Sequence, residues 1–541
     1  MGYAHEYAHA VLHRGRVPME PTDHVVNWAD GPRRGKYYPR VDAFALPETE
    51  DLPDVPIAPG LLPGTGEEPA PDGHPGFGLP LLSAMLKDSY GLVGRRLGVQ
   101  ANTDLAGLPY YHHANWSRGT AGGGGLYPVS VHWASGPSGP LTPGLHYYDI
   151  HRHALQRLLT GDVTGRVREA LGPDAPDGAL DTDQYLVLGV KYWQNSFKYN
   201  SFCFHVVCTD LGTLVQTWRI WAAARGLRLA PALWFDEPAL SGLLGVPGEE
   251  EAVFAVVPLR WDAPRAEDAE APHTDPRHRP AVRHRDVERS RTLLDFPQVR
   301  AMHRATLEGA AARPAPGALA AAAALADPVG TGVRVPLPGP DLPDTGVRRA
   351  LRERRSSFGR FDARREVSAG HLSSVLAACA GTRLAGDTDP SGEHRLARLY
   401  VFVNHVAGIE PGAYAYDPDR GDLRAVVTGP QGPFLQENYF LANYNLEQAG
   451  AVLVPTVRTT AVLDAVGDRG YRLAVATAGA VAQSFYLAAS ALGLGAGVAL
   501  GFDNVSYAER LGLTDGDEAP LLIMALGHER PGPADFRHEI A

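Results

Sequence analysis

At 541 residues the chain exceeds the roughly 100 to 200 residues of a typical single domain, which leaves room for two. An apolar fraction of 44% and an aromatic fraction of 8% are those of a globular protein, and no apolar run is expected to reach the roughly 20 residues of a membrane span. The formal charge of −11 is spread without a dominant acidic or basic block, which argues against nucleic acid as the main partner. Cys203, Cys208 and Cys379 show neither metal-type spacing nor a disulfide framework and are expected to be core residues. The histidines from His273 to His284 fall among Pro, Arg and Asp with no rigid element to space them, so no metal site is expected. Residues Met1 to Arg16 lack the charged lead and long apolar segment of a secretory signal, and a cytoplasmic location is expected.

In chain order, residues 1–75 are loop-rich and dense in proline from Pro47 to Pro75, which predicts an extended arm. A first domain is expected over 76–261. It has a helix at Leu79–Ser89, with Pro80 tolerated in the first turn, and a strand at Tyr127–Trp133. A buried helix follows at Asp210–Gly226, then a β-rich run at Ala252–Leu259. Residues 262–340 alternate charge and proline around the Ala-rich Leu319–Leu325 and read as a linker with one helix. A second domain, 341–541, repeats the order: helices at Val347–Arg354 and Ala369–Ala380, a strand at Arg398–Val403, a long buried helix at Tyr471–Leu492 and a strand at Leu521–Leu526. Helices around a mainly antiparallel sheet, twice over, give the class α+β.

The repetition is residue by residue. Between Lys198–Leu259 and Ala465–Leu526 the offset is constant at 267: Gly212 answers Gly479, Gln216 answers Gln483, Ala222 answers Ala489, and Phe235-Asp236 answers Phe502-Asp503. Upstream, Pro143-Gly144-Leu145-His146-Tyr147-Tyr148-Asp149 corresponds to Pro411-Gly412-Ala413-Tyr414-Ala415-Tyr416-Asp417 at an offset of 268. This is a tandem duplication, and two such halves form an internal pseudo-dimer, with further pairing of whole chains left open.

Arg354-Arg355-Ser356-Ser357 closes an amphipathic helix. Two guanidiniums and two hydroxyls on one turn suit a phosphate, although a basic helix end can also serve only to offset the helix dipole. Then come Pro390-Ser391-Gly392, the Tyr-x-Tyr-Asp block, Arg469-Gly470-Tyr471-Arg472 and Leu492-Gly493-Leu494-Gly495-Ala496-Gly497. That order resembles the nitroreductase superfamily of FMN enzymes. More narrowly, Arg118-Gly119-Thr120-Ala121-Gly122-Gly123-Gly124-Gly125-Leu126-Tyr127-Pro128 and Gly144 to Leu155 resemble the azoline dehydrogenases that make thiazoles and oxazoles in ribosomal peptides.

The resemblance implies FMN at the interface between halves. Its phosphate would lie on Arg354, Arg355 and Ser356, and its ring near the glycine loop of Arg118, Gly122, Gly123 and Gly124, with Ser391, Gly392, Arg469, Gly493 and Gly495 as further cofactor positions. Family members carry a Lys-Tyr pair before the core helix. In the first half it is Lys198-Tyr199; in the second the offset of 267 finds Ala465-Val466. Lys198 is therefore expected to be the base and Tyr199 its orienting partner, while Lys191-Tyr192 is a second pair that spacing alone does not exclude. The implied reaction oxidises an azoline in a precursor peptide, which a cyclodehydratase partner must first have cyclised. Two rivals stay open: a flavin nitroreductase or other peptide oxidase fed by NAD(P)H, and a non-catalytic structural subunit.

Overall fold

The computed structural model describes residues 2–62, 76–102, 107–176, 178–246, 248–263, 280–324, 328, 330, 332–384, 387, 389, 392–513, 517–531 and 536–540, with residues 97–102 and 107–114 as backbone only. Two antiparallel sheets, each faced by helices, repeat one architecture. In the first, the strand order is Ala43–Ala45, Ala154–Thr160, Gly144–Asp149, Val129–Ser135, Gln184–Lys191 and Glu251–Pro258. In the second it is Arg334–Pro336, Asp422–Thr428, Gly412–Asp417, Ala397–Val403, Ala451–Arg458, Ile523–Gly527 and Gly495–Ala499, with Glu518–Pro520 also paired to Ala451–Arg458. The duplicated strands keep the offsets of the sequence: Val129–Ser135 and Ala397–Val403 lie 268 apart, and they pair with the corresponding strands Gly144–Asp149 and Gly412–Asp417, which end in His-Tyr-Tyr-Asp and Tyr-Ala-Tyr-Asp. The fold is thus α+β, a pair of like halves in one chain.

The halves meet along two long helices, Cys203–Ala223 and Gly470–Ala491. A Cβ on Gly212 would lie 1.9 Å from the Ala476 carbonyl oxygen, and one on Gly479 2.2 Å from that of Thr209. Those two contacts are images of each other at an offset of 267, so a pseudo-twofold axis runs between the helices where only glycine lets the backbones touch. Gly470–Ala491 is long and apolar enough to cross a membrane by length and composition, which corrects the expectation that no such run exists. It is instead a core helix, packed along the Cys203–Ala223 helix, with 94% of its most apolar 18-residue stretch buried. Cys203, Cys208 and Cys379 are buried, as expected.

Several elements depart from their predicted bounds. The first core helix starts at Cys203, seven residues before the predicted Asp210, because its first two turns are buried all round and offer no amphipathic period to read. The strand predicted from Tyr127 begins at Val129, since Tyr127 has φ 52° and Pro128 follows. The predicted final strand is split between Glu518–Pro520 and Ile523–Gly527. A two-stranded ribbon, Gly94–Asn102 with Gly107–Ser117, takes Arg537–Glu539 as a third strand. The arm adds the edge strand Ala43–Ala45, and between the halves lies a helix at Pro297–Leu307 beside the short Ala320–Ala323. The Pro-dense residues 63–75, the histidine-bearing 273–279, Leu325, Pro390 and Ser391 lie outside the described residues.

Candidate functional site

The Arg354 turn of the second half sits against the glycine loop of the first. Arg354 ends the helix Val347–Glu353; its Nε donates to the Gly119 carbonyl at 2.8 Å and its Nη2 to that of Arg118 at 3.2 Å. Gln483, on the second core helix, reads the same segment: its Oε1 accepts from the Ala121 amide at 3.0 Å and its Nε2 donates to Gly119 at 3.3 Å. One backbone stretch, 118–121, is therefore held by side chains of the other half. Arg355 pairs with Glu529 at 2.6 Å, and Ser356 Oγ hydrogen-bonds the Tyr486 hydroxyl at 2.8 Å. Ser357 closes the turn onto strand Gly495–Ala499 by exchanging hydrogen bonds with Ala496, and a Cβ on Gly495 would strike Ser357 Oγ at 2.9 Å.

Guanidiniums converge here. Arg118 is 2% exposed, stacked over Tyr127 at 4.1 Å and Tyr90 at 4.7 Å, and its Nη1 is buried with no hydrogen-bond partner among the described residues. Its Nη2 donates to the Arg34 carbonyl at 3.3 Å. Arg96, from the ribbon, donates to the Arg354 carbonyl at 2.8 Å; burial and the nearby Arg354 charge lower its pKa to about 10. Burial also lowers the pKa of Arg34, with Arg118 adding to it. Burial and like charge act on Arg34 and Arg96, and the orphaned Nη1 of Arg118 stands among these guanidiniums, which makes a place for an anion. Arg34 and Arg96 were not foreseen: one lies in the arm and the other in the ribbon, far in sequence from every motif.

The glycine loop then turns under the Lys-Tyr pair. Gly124 and Gly125 have φ of 60° and 67°, the left-handed region, so the loop needs residues without Cβ. A Cβ on Gly124 would lie 2.3 Å from Lys198 Nζ and 2.7 Å from the Tyr199 hydroxyl, so both side-chain tips rest on this turn. They come from the short helix Trp193–Tyr199. Lys198 Nζ is 4.9 Å from the Tyr199 ring centroid and 5.7 Å from that of Trp28, which is 57% exposed. Among the described residues no carboxylate lies within ion-pair distance of it. Burial lowers the Lys198 pKa, and the Arg34 charge lowers it further. Burial pushes the Tyr199 hydroxyl the other way, well up, so it stays protonated.

Lys191, the second Lys-Tyr candidate, is different. Burial pulls its pKa down, but the hydrogen bonds and charges of Asp286 at 2.7 Å and Glu288 at 2.6 Å outweigh that, and the net shift is upward. A lysine locked in its charged form is unsuited to take a proton.

One further group stands beside the loop. Asp210 Oδ1 accepts from the Gly123 amide at 2.7 Å, while Oδ2 is buried with no hydrogen-bond partner among the described residues. Its place in the sequence marked only the expected start of a helix.

Other predicted positions lie elsewhere. Arg469 is 1% exposed and pairs through Nη1 with Glu237 at 2.7 Å and with the Thr306 carbonyl at 2.8 Å. Arg472 joins the same carboxylate at 2.9 Å. This buried cluster ties the second core helix to the first half. Gly493, with φ 66°, follows the C-terminus of that helix. Gly392, with φ 68°, donates to the Asp389 carbonyl beside the Asp389–His394 pair, in the half that lacks a Lys-Tyr pair. Ser391 lies outside the described residues.

Residues 351–528 match the profile of the nitroreductase family. The architecture of both halves is the one found in nitroreductase structures, and a protein from Anabaena variabilis named as a nitroreductase shares it from end to end. That structure superposes with a TM-score of 0.70 at 22% identity, covering 98% of this chain and 100% of its own. A Methanocaldococcus jannaschii protein named as a nitroreductase is 34% identical over 139 residues, 24% of this chain; the chain spans 64% of that relative's length. A chain of the E. coli microcin synthetase McbBCD complex with truncated pro-MccB17 bound overlaps more narrowly, at 20% identity and a TM-score of 0.28 over 33% of this chain and 71% of its own.

Proposed function

We propose that this chain is an FMN-dependent oxidoreductase that oxidises thiazoline or oxazoline rings of a ribosomally made peptide to thiazoles or oxazoles. The observation that carries the reading is the meeting of three motifs at one place. Arg354 of the second half grips the backbone of Arg118 and Gly119, and the loop that follows ends under Lys198 and Tyr199. The residues fit the cofactor: the orphaned Arg118 Nη1 suits a phosphate, and Gly125 at the end of the turn faces open space, with nothing within 4 Å of where a Cβ would stand. In this reading Arg354 fixes the cradle, while Arg355, Ser356 and Arg118 supply donors and Gly122, Gly123 and Gly124 line it. Gly493 and Gly495 shape the turn behind Ser357. Arg469 acts indirectly by locking the halves together, and Ser391 and Gly392 belong to the opposite pseudo-site.

FMN, when bound, would supply the two-electron acceptor that takes the hydride of the azoline. Lys198 takes the other hydrogen as a proton from the ring carbon, since desolvation and Arg34 favour its neutral form. Tyr199 keeps its proton and orients the ring by donating a hydrogen bond. Because azolines must be made before they are oxidised, a cyclodehydratase and an azoline-bearing precursor peptide are the partners in this proposal. The location is cytoplasmic, where such peptides are made. The division into an arm (1–75), two domains (76–261 and 341–541) and a linker (262–340) is part of the same proposal.

The test is the absorption spectrum of the purified protein with released flavin quantified, followed by a thiazoline peptide assayed by mass spectrometry for loss of two hydrogens. Bound FMN, turnover and a fall of about 10² to 10⁴ in Lys198→Ala are expected. NAD(P)H-driven nitro reduction that survives Lys198→Ala, with no azoline oxidation, would make the chain a nitroreductase instead. A colourless chain that takes up no FMN would make it a structural subunit.

A further inference from the structure

Asp210 is 5% exposed, yet among the described residues its carboxylate has a single hydrogen bond, from the Gly123 amide to Oδ1 at 2.7 Å. Its other oxygen is buried and unpaired among the described residues. An unpaired carboxylate oxygen away from water is costly, so a group of this kind persists where it does something. Its position supports that. The loop it holds is the one on which Lys198 and Tyr199 rest, and the equivalent position in the second half, at the offset of 267, is Thr477. The carboxylate is thus present in the half that carries the Lys-Tyr pair and absent from the half that carries Ala465-Val466.

We propose that Asp210 is a positioning residue of this site: Oδ1 clamps the Gly123 amide, and loss of the proton from the carboxyl loosens the turn beneath Lys198 and Tyr199, which its gain tightens. Burial pushes the carboxyl up to about 7, against the Gly123 hydrogen bond, which pulls it down. The groups that feel its charge are Tyr199 from the short helix, Tyr90 beyond helix Leu79–Ser89, and Cys203 on its own helix, whose pKa values are all raised chiefly by burial. Arg118 faces Tyr90 and Tyr127 from the start of the loop, and Lys198 stands across Gly124. Because the closed turn holds this carboxyl above its ordinary range, the neutral form favours the closed turn; above pH 7 the carboxylate, with one oxygen unpaired and away from water, favours an opening that hydrates it, although its bond to Gly123 is then charge-assisted.

The experiment is amide hydrogen exchange of the peptide spanning residues 120–127 in the full chain, corrected for intrinsic pH dependence, at pH 6 and pH 8. In the wild type, protection of the Gly123 amide is expected to fall between the two pH values, since the carboxyl ionises on the way. Asp210→Asn, which still accepts from Gly123 but does not ionise, should show protection that is independent of pH. Asp210→Ala should exchange about tenfold faster at pH 6. A pH step that persists in Asp210→Asn, or wild-type protection in Asp210→Ala, overturns the proposal. If Asp210→Ala does not fold, the near-isosteric Asp210→Asn decides alone. A second arm rests on the proposed reaction: the pH profile of kcat/KM should lose its step near 7 in Asp210→Asn while the Lys198 limb stays. Absence of FMN or of turnover would refute the proposed function, and hydrogen exchange would then decide the role of Asp210 by itself.

Discussion

The sharpest test of the site is a pair of neighbouring substitutions, Gly124→Ala and Gly125→Ala. Both residues have left-handed φ, 60° and 67°, so each alanine carries a backbone penalty of about 1 kcal/mol. They differ in what the new methyl meets. At Gly125 there is nothing within 4 Å; at Gly124 the methyl would be 2.3 Å from Lys198 Nζ and 2.7 Å from the Tyr199 hydroxyl. Ordinary contact begins near 3.4 Å, so Nζ must retreat by about 1 Å, a flexible side-chain end that moves at small cost in stability. Misplacement of a reacting group by about 1 Å costs about 10²-fold in rate. The two variants should therefore melt alike, while Gly124→Ala loses about 10² in kcat/KM on a thiazoline peptide and Gly125→Ala loses far less. Thermal melts and steady-state kinetics on the same preparations decide it. Equal kinetic losses, or a Gly124→Ala enzyme with wild-type kcat/KM, would refute the placement of Lys198 and Tyr199 against this turn.

Two further outcomes follow from the charges. Neutralising Glu237 by Glu237→Gln leaves Arg469 and Arg472 buried without their carboxylate, and should destabilise the chain by about 3 to 5 kcal/mol in denaturant unfolding. Burial raises the Glu237 pKa, but Arg472 and Arg469 outweigh that and hold it below the usual carboxylate range. Its stabilisation is thus complete above the unfolded value of about 4.3 and is lost as pH falls through the lower folded value, so the variant and wild type should converge in strong acid. In the proposed reaction the neutral form of Lys198 is the active one, and burial with Arg34 lowers its pKa, so kcat/KM should rise with pH through a value below the ordinary lysine range of about 10.4. Arg34→Ala should move that rise to higher pH, and an unmoved profile would disconnect Arg34 from the base.

The duplication was legible because its marks are local and exact in spacing: Gly212 and Gly479, or Gln216 and Gln483, are chemically distinctive residues at one offset. In the structure they prove to be the contact points of the pseudo-twofold interface and the hold on the glycine loop. The loop and the Lys-Tyr pair were also readable as separate motifs. What sequence could not supply is their company. Arg34 and Arg96 reach the site through the arm and the ribbon, and no periodic pattern ties those segments to residue 354. Asp210 was hidden for another reason. It sits on a helix buried all round, where a carboxylate leaves no amphipathic signature, and its meaning depends on the unpaired Oδ2 that only the fold creates.

The symmetry of the core and the asymmetry of the sites belong to one argument. Two identical chains around a twofold axis must build two identical sites, whereas a fused pair is free to complete one and let the other change. At the axis the halves still match, Gly212 on Ala476 and Gly479 on Thr209. Away from it they part at several site positions: Lys198-Tyr199 against Ala465-Val466, Asp210 against Thr477, and the Tyr486 that meets Ser356 against Arg219. The last turn of helix Leu79–Ser89, where Asp88 and Ser89 stand at the offset of 267 from Arg355 and Ser356, has gone furthest. There Asp88, 1% exposed, accepts from the Trp221 indole at 3.0 Å and pairs with Arg348 at 3.2 Å, while Ser89 accepts from Trp218 at 2.8 Å. A buried carboxylate at this place repels a phosphate, and the Ser89 hydroxyl, which accepts from one indole, already donates to the Met85 carbonyl. Restoring the missing pair by Ala465→Lys with Val466→Tyr should therefore add neither a second flavin per chain nor activity in a Lys198→Ala background. Flavin counted by absorbance against protein, together with azoline turnover, tests both. A second bound FMN in that variant would mean that the Lys-Tyr pair alone had decided which half works.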